Sequence, residues 1–131
     1  GLQEWVTGLL RLSPPLAPAI LGLKLLSAPP SRHTLQGMEV VVEVGCGVGN
    51  TALPLLRANP SLFAFALDPS PAAIAILRAS PDYLPSRIFA FVDDITRPPS
   101  PTAQRALAPV TGRADWVTMV FSLSALPPAA L

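Results

Sequence analysis

Four short apolar runs, rich in valine, phenylalanine and leucine, recur along the chain after residue 39. Unbroken runs of this kind are typical of strands that are buried on both faces of a parallel sheet. The runs therefore predict four strands, at 40–44, 62–67, 87–92 and 115–123.

Helices are predicted between these strands. Asn50 or Thr51 is expected to cap a short helix that runs to Arg57. Ser70, followed by a proline, has the sequence of another helix start, and 97–113 is expected to hold one or two helical turns. The alternation predicts an α/β fold with a doubly wound, mostly parallel sheet of about four strands.

The first part of the chain has a different pattern. Apolar residues at helical spacing predict an amphipathic helix over 2–12 and an apolar helix over 16–26, with prolines between them. A linker follows, in which His33 is expected to be a solvated loop residue. The chain is thus predicted to divide into a helical, proline-broken segment with its linker, 1–39, and a sheet domain, 40–131.

The composition favours a folded domain. Of the 131 residues, 50% are hydrophobic and 13% are charged, and the net charge of +1 includes no block of like charge that would indicate a nucleic-acid surface. A single cysteine, Cys46, excludes an internal disulfide and favours a reducing compartment. We expect a cytoplasmic protein, with an organelle as the alternative, and no membrane span, because no apolar segment is long enough.

The turn after the first strand reads "EVGCGVGNT", with Gly45, Gly47 and Gly49 at alternate positions. Glycines in such a turn let the backbone approach a ligand at the carboxyl ends of the strands. The turn has no lysine, which a triphosphate-binding loop needs, and its third glycine lacks the dinucleotide spacing. Glu43 would also repel a pyrophosphate, whereas it suits a cation.

Acidic residues at three strand ends point to S-adenosylmethionine, which combines cationic groups with a ribose and an adenine. Glu43 is compatible with the ammonium and sulfonium groups, and Asp68 can accept hydrogen bonds from both ribose hydroxyls. Asp93 or Asp94 can accept one from the adenine amine. Each acid also has a structural interpretation, as a cap or a turn residue; Asp68, for example, precedes a proline.

The motifs "EVGCGVGNT", "FAFALDPSPAAI", "FVDDIT" and "VFSLSALPP" together resemble the methyltransferase-like family that makes 3-methylcytidine in tRNA. The resemblance covers roughly residues 40–128. It implies a Rossmann-like class I methyltransferase fold, S-adenosylmethionine as cofactor and tRNA as substrate of the complete enzyme. It also implies cofactor contacts for Gly45, Asp68 and Asp94, and places Val120 beside the methionine end.

The chain departs from that family in two ways. Residues 1–39 do not match the aromatic and basic segment that precedes the family's catalytic domain, and class I methyltransferases have more strands than this chain supplies. We therefore expect part of a methyltransferase domain, whose fourth strand is covered by the rest of the protein, a partner subunit or a second copy.

Two alternatives remain from the sequence. The chain could be a non-catalytic structural or binding subunit of a larger assembly, or a nucleotide-dependent oxidoreductase, which the glycine spacing disfavours. No catalytic residue is assigned, because methyl transfer to a ring nitrogen depends mainly on positioning and electrostatics. No metal site is predicted.

Overall fold

The structure is a computed structural model that describes residues 28–120. The helices predicted at 2–12 and 16–26, and the end of the predicted fourth strand, lie outside this range. The strands are β1 Glu39–Val44, β2 Leu62–Asp68, β3 Ile88–Val92 and β4 Trp116–Thr118. The helices are α1 Ala52–Ala58, α2 Pro71–Ala79 and α3 Pro101–Leu107, followed by a short 3-10 helix, Ala108–Val110.

All four strands are parallel, in the order β3-β2-β1-β4. The chain builds outward from β1 through β2 to β3, and then crosses back to place β4 on the other side of β1. The strand order therefore reverses between β1 and β4, which is where open α/β sheets bind their ligands. The predicted doubly wound fold class is confirmed.

Helices and turns cover both faces of the sheet. On one face, the small side chains of Ala64 and Ala66 leave room for α1 and α2, which contribute Leu53, Leu56 and Leu77 to the core. The opposite face carries four buried phenylalanines that alternate along β2 and β3, packed against α3: Phe63, Phe65, Phe89 and Phe91. Coverage on both faces explains why β2 is buried along nearly its whole length.

Two helices begin with the same local structure. The Ser70 hydroxyl accepts a hydrogen bond from the Ala73 N–H, and the Ser100 hydroxyl accepts one from the Ala103 N–H. A proline follows each serine at the first helical position, where its missing N–H costs nothing. The start at Ser70 was predicted, and the turns predicted within 97–113 are α3.

One residue of the predicted linker, Leu35, belongs to the core, while most of the linker is exposed. Leu35 is fully buried and packs among the phenylalanines, while His33 is exposed, as expected. Arg113 donates hydrogen bonds to the carbonyl oxygens of Leu35, at 2.6 Å, and Met38, at 3.4 Å. These contacts attach the segment before β1 to the loop before β4.

The fourth strand is shorter than the sequence predicts. It pairs with β1 through three residues, and its last residue, Thr118, lies opposite Glu43. Because β1 ends one residue later, at Val44, little of β1 remains for Met119 and Val120 to pair with. Trp116 and Val117 are both largely exposed. Coverage of this strand by protein outside the chain stays a prediction.

Across residues 28–120, no helix is both long enough and apolar enough to cross a membrane.

Gly49 provides a test of the packing beneath the turn. Its φ is +92°, and a Cβ there would lie 2.5 Å from Leu77 Cδ1. Gly112 is a matched control, since its φ is +73° but a Cβ would meet nothing within 4 Å. We expect Gly112→Ala to lower the free energy of unfolding by about 1 kcal/mol and Gly49→Ala by about 2–4 kcal/mol. Equal losses in urea denaturation would contradict this packing account.

Candidate functional site

The glycine turn lies at the carboxyl end of β1, beside the point where strand order reverses. It begins with two backbone N–H groups, of Gly45 and Cys46, which donate to the Leu67 carbonyl at 2.8 and 3.0 Å. The φ angles of Gly45, Gly47 and Gly49 are +71°, +54° and +92°. Side chains are disfavoured in this left-handed region, so the turn needs glycine at all three positions for conformational reasons alone.

The space around these glycines differs. A Cβ on Gly47 would meet no atom within 4 Å, so the backbone there faces open space that a ligand can enter. Gly49 instead packs against Leu53 and Leu77 under the turn. The structure therefore gives Gly49 a packing role that the sequence did not reveal, while its predicted cofactor contact stays a prediction.

Asp68, at the end of β2, connects the glycine turn to the next helix. One carboxylate oxygen accepts a hydrogen bond from the Gly47 N–H and the other accepts one from the Ser70 N–H, both at 2.9 Å. Each oxygen has two lone pairs, so the carboxylate can accept further hydrogen bonds from a ligand. Asp68 thus holds the turn in place and still has free acceptor capacity.

Glu43 is an acidic residue that lies among apolar neighbours. It is only 3% exposed and lies on β1 between Ala66 of β2 and Thr118 of β4. The Oε2 atom of its carboxyl group has no hydrogen-bond partner. Burial disfavours the charged form and raises the pKa of Glu43 to about 7. An acid in this state is suited to pair with a cation.

Thr118 is a site residue that sequence reasoning missed. Its hydroxyl oxygen is buried without a hydrogen-bond partner. The available signal was a polar residue inside the apolar run "DWVTMVF", but its register against Glu43 cannot be read from the sequence.

The two acids at the end of β3 have different partners, and only Asp94 is held in a local turn. Asp94 accepts hydrogen bonds from the N–H and hydroxyl of Thr96, at 2.9 and 2.7 Å, and these bonds lower its pKa. Asp93 donates its N–H to the Asp68 carbonyl at 3.2 Å, so the ends of β2 and β3 are adjacent. Val120, two residues beyond β4, is partly exposed.

Cys46 is buried beneath the turn, as predicted for a small packed residue. Burial raises the pKa of its thiol to about 12, and the nearby carboxylates of Asp68 and Glu43 add to this effect. The thiol is therefore neutral and is not an activated nucleophile. In the described part of the chain, no group of three or more His, Cys, Asp or Glu side chains could hold a metal ion.

The sheet is doubly wound and parallel, and its carboxyl edge carries a glycine turn and acids. These features define the class of α/β domains that bind a ligand at the switch point, where the strand order reverses. Residues 42–131 match the family described as methyltransferase domain. This match covers more than half of the chain, and the chain belongs to that family.

Two individual relatives indicate a more specific similarity than the family match does. The chain is 40% identical over 93 residues to tRNA N(3)-cytidine methyltransferase METTL2 of Xenopus tropicalis, a match that covers 68% of this chain and 26% of the relative. It is 42% identical over 89 residues to a tRNA N(3)-methylcytidine methyltransferase of Schizosaccharomyces pombe, covering 66% and 33%. The matched region therefore spans a third or less of these relatives.

The fold also matches solved structures. The S-adenosylmethionine-dependent methyltransferase SibL, solved in its apo form, aligns with 87% of this chain and 30% of its own. The TM-score is 0.54 and the sequence identity is 26%. Together with the family match, this agreement confirms the Rossmann-like methyltransferase fold that the sequence motifs implied.

The burial of Glu43 predicts how stability depends on pH. Its pKa is about 7 in the folded chain and 4.5 when unperturbed, so the unfolded state loses this proton first as pH rises. The wild type should therefore lose stability relative to Glu43→Gln between pH 4.5 and 7, by about 3 kcal/mol in total. Urea denaturation of both proteins from pH 4 to 8 measures this difference. A difference that does not change with pH would show that Glu43 titrates normally.

Proposed function

We propose that this chain binds S-adenosylmethionine at the carboxyl ends of β1 and β2, and that the whole protein methylates N3 of cytidine in tRNA. The observation that carries the cofactor assignment is the unpaired, buried Oε2 of Glu43 at the switch point. A buried carboxyl oxygen without a partner is costly, and a cationic ligand beside it offsets that cost.

The residues around the turn fit the other parts of this cofactor. Open space at Gly47 allows the backbone to contact the ligand. Asp68 has acceptor capacity left for the ribose hydroxyls. Asp94 lies beyond β3 with two exposed apolar residues, Val92 and Ile95, which suit an adenine ring. Val120 is proposed to line the methionine end.

When bound, S-adenosylmethionine supplies a methyl group that is activated by the sulfonium charge. The described residues bind and orient: Glu43 balances positive charge, and Asp68 fixes the turn against the start of α2. Orientation of this kind lowers the barrier by placing the reacting atoms in line. No proton transfer is assigned to any described residue.

The tRNA assignment rests on identity to relatives that are named as tRNA methyltransferases. The chain has a net charge of only +1. Because phosphate contacts supply most of the affinity for nucleic acids, we propose that other parts of the whole protein supply most of the tRNA contacts, while this chain supplies the cofactor site.

The alternative is a non-catalytic subunit that uses the same fold in a larger assembly. The exposed side chains of β4 favour it, since they offer an apolar surface to a partner. The two functions differ in cofactor binding. A structural subunit has no need for affinity toward S-adenosylmethionine, so calorimetry with this ligand separates them.

Asp68→Asn tests the cofactor site at nearly constant side-chain size. The amide loses one acceptor oxygen and the negative charge, so we expect S-adenosylmethionine binding to weaken by about 1–3 kcal/mol. Asp82→Asn is the control, because Asp82 contacts Arg57 at 3.5 Å on the exposed surface, away from the turn. Calorimetry gives the affinity, and thermal melts show whether both variants fold. Equal affinity for both variants would remove Asp68 from the site.

Methyl transfer tests the substrate. The whole protein, incubated with labelled S-adenosylmethionine and tRNA, is expected to form 3-methylcytidine, identified by nucleoside chromatography. Asp68→Asn should reduce this product at low cofactor concentration, whereas Asp82→Asn should not. Cofactor binding without any labelled cytidine in tRNA would overturn the substrate assignment and leave the cofactor assignment standing.

A further inference from the structure

The free edge of β3 is occupied by groups from its own chain. β3 is the outermost strand on one side of the sheet, so only one of its edges is paired, with β2. The carbonyl of Arg87 and the N–H of Asp93 both bond to β2. Because backbone groups alternate in direction along a strand, those of Ile88 and Ala90 face away from the sheet.

Three of these outward-facing groups have hydrogen-bond partners. The Ile88 N–H donates to the Leu84 carbonyl, and the Ala90 N–H donates to Tyr83 Oη, both at 3.0 Å. Arg78 Nε donates to the Ala90 carbonyl at 3.1 Å, and its Nη2 atom donates to the same oxygen. All three partners come from the last turn of α2 and the turn that follows it.

The two side chains reach this edge in different ways. Tyr83 is only 6% exposed and belongs to the core, so its hydroxyl approaches the edge from inside the protein. Arg78 is exposed, and its guanidinium places a positive charge on the edge. Charged side chains and local covering are two means by which proteins keep an edge strand from pairing with another sheet. Both are present here.

The opposite edge of the sheet differs. Among residues 28–120, no side chain makes a comparable contact along the outer edge of β4, where Trp116 and Val117 are largely exposed. Water can bond to the backbone groups of an exposed edge, so hydrogen bonding alone does not require side chains at β3. The contacts of Arg78 and Tyr83 therefore indicate a restriction on what β3 can pair with.

We propose that Arg78 and Tyr83, here called the edge cover, keep β3 from pairing with the β3 strand of a second copy of this chain. Two identical edges can pair about a two-fold axis, which makes a second copy the partner that an open β3 edge fits. Such pairing needs the N–H and carbonyl of Ala90, which the edge cover occupies. It would also bring two Arg78 charges together. The proposal involves no ligand and is independent of the proposed function.

Removal of the edge cover should let the chain associate. We expect the double variant Arg78→Met with Tyr83→Phe to dimerise about tenfold more tightly than the wild type in sedimentation velocity, because backbone groups of Ala90 become available in each copy. Arg78→Lys keeps the charge and a donor and should behave as the wild type. Arg105→Met is the matched control, since it removes an exposed charge from α3, away from this edge.

Amide hydrogen exchange, measured by NMR, locates the association. In the wild type the Ala90 N–H should exchange slowly at every concentration, because Tyr83 accepts its hydrogen bond. In the double variant it should exchange rapidly in dilute solution and slowly in concentrated solution, where a second β3 strand covers it. Association through β4 would instead protect amides such as that of Trp116, and would be equal in all variants.

The competing explanation is that these contacts only anchor the turn before β3. A folded double variant that melts earlier but associates no more than the wild type would support that explanation and overturn the proposal. Association without concentration-dependent protection of Ala90 would also overturn it. Arg78→Met alone changes only an exposed side chain and tests the proposal even if the double variant does not fold. It must associate more than Arg105→Met, or the proposal is wrong.

Discussion

The parallel pairing of β1 with β2 on one side and β4 on the other is the constraint on which the rest of this structure depends. Parallel strands align their carboxyl ends, so the glycine turn and the acids that follow β2 and β3 reach the same edge of the sheet. The same pairing places Thr118 beside Glu43. If β1 slipped by one residue, its buried side chains would exchange faces and this arrangement would be lost.

The chemistry of the edge follows from how one strand is buried. A carboxyl group at the end of an exposed strand would be ionised and solvated. Glu43 is instead shielded from water by the helices that cover its face of the sheet. The protein therefore pays in stability for a group that is ready to pair with a cation. Asp68 contrasts with it, because two backbone N–H groups already stabilise its carboxylate.

The sequence was sufficient for features that depend on neighbouring residues. The valine and phenylalanine runs predicted the strands, and the serine-proline pair predicted the start of α2. The glycine turn and the acids at strand ends were also visible. Contacts between distant segments could not be predicted from the sequence. Neither the register of Thr118 against Glu43 nor the packing of Gly49 on Leu77 leaves a local pattern. The predicted length of β4 was wrong, because an apolar run does not show where the strand that it pairs with, β1, ends.

Leu35 has a practical consequence for where this domain begins. A recombinant domain cut at the first strand would lose a fully buried leucine and leave a hydrophobic hole beside the phenylalanines. It would also deprive Arg113 of the carbonyl oxygen of Leu35 and detach the loop that leads into β4. Proteolysis between Leu35 and β1 would have a similar effect. We therefore expect the smallest folding unit to start several residues before its first strand.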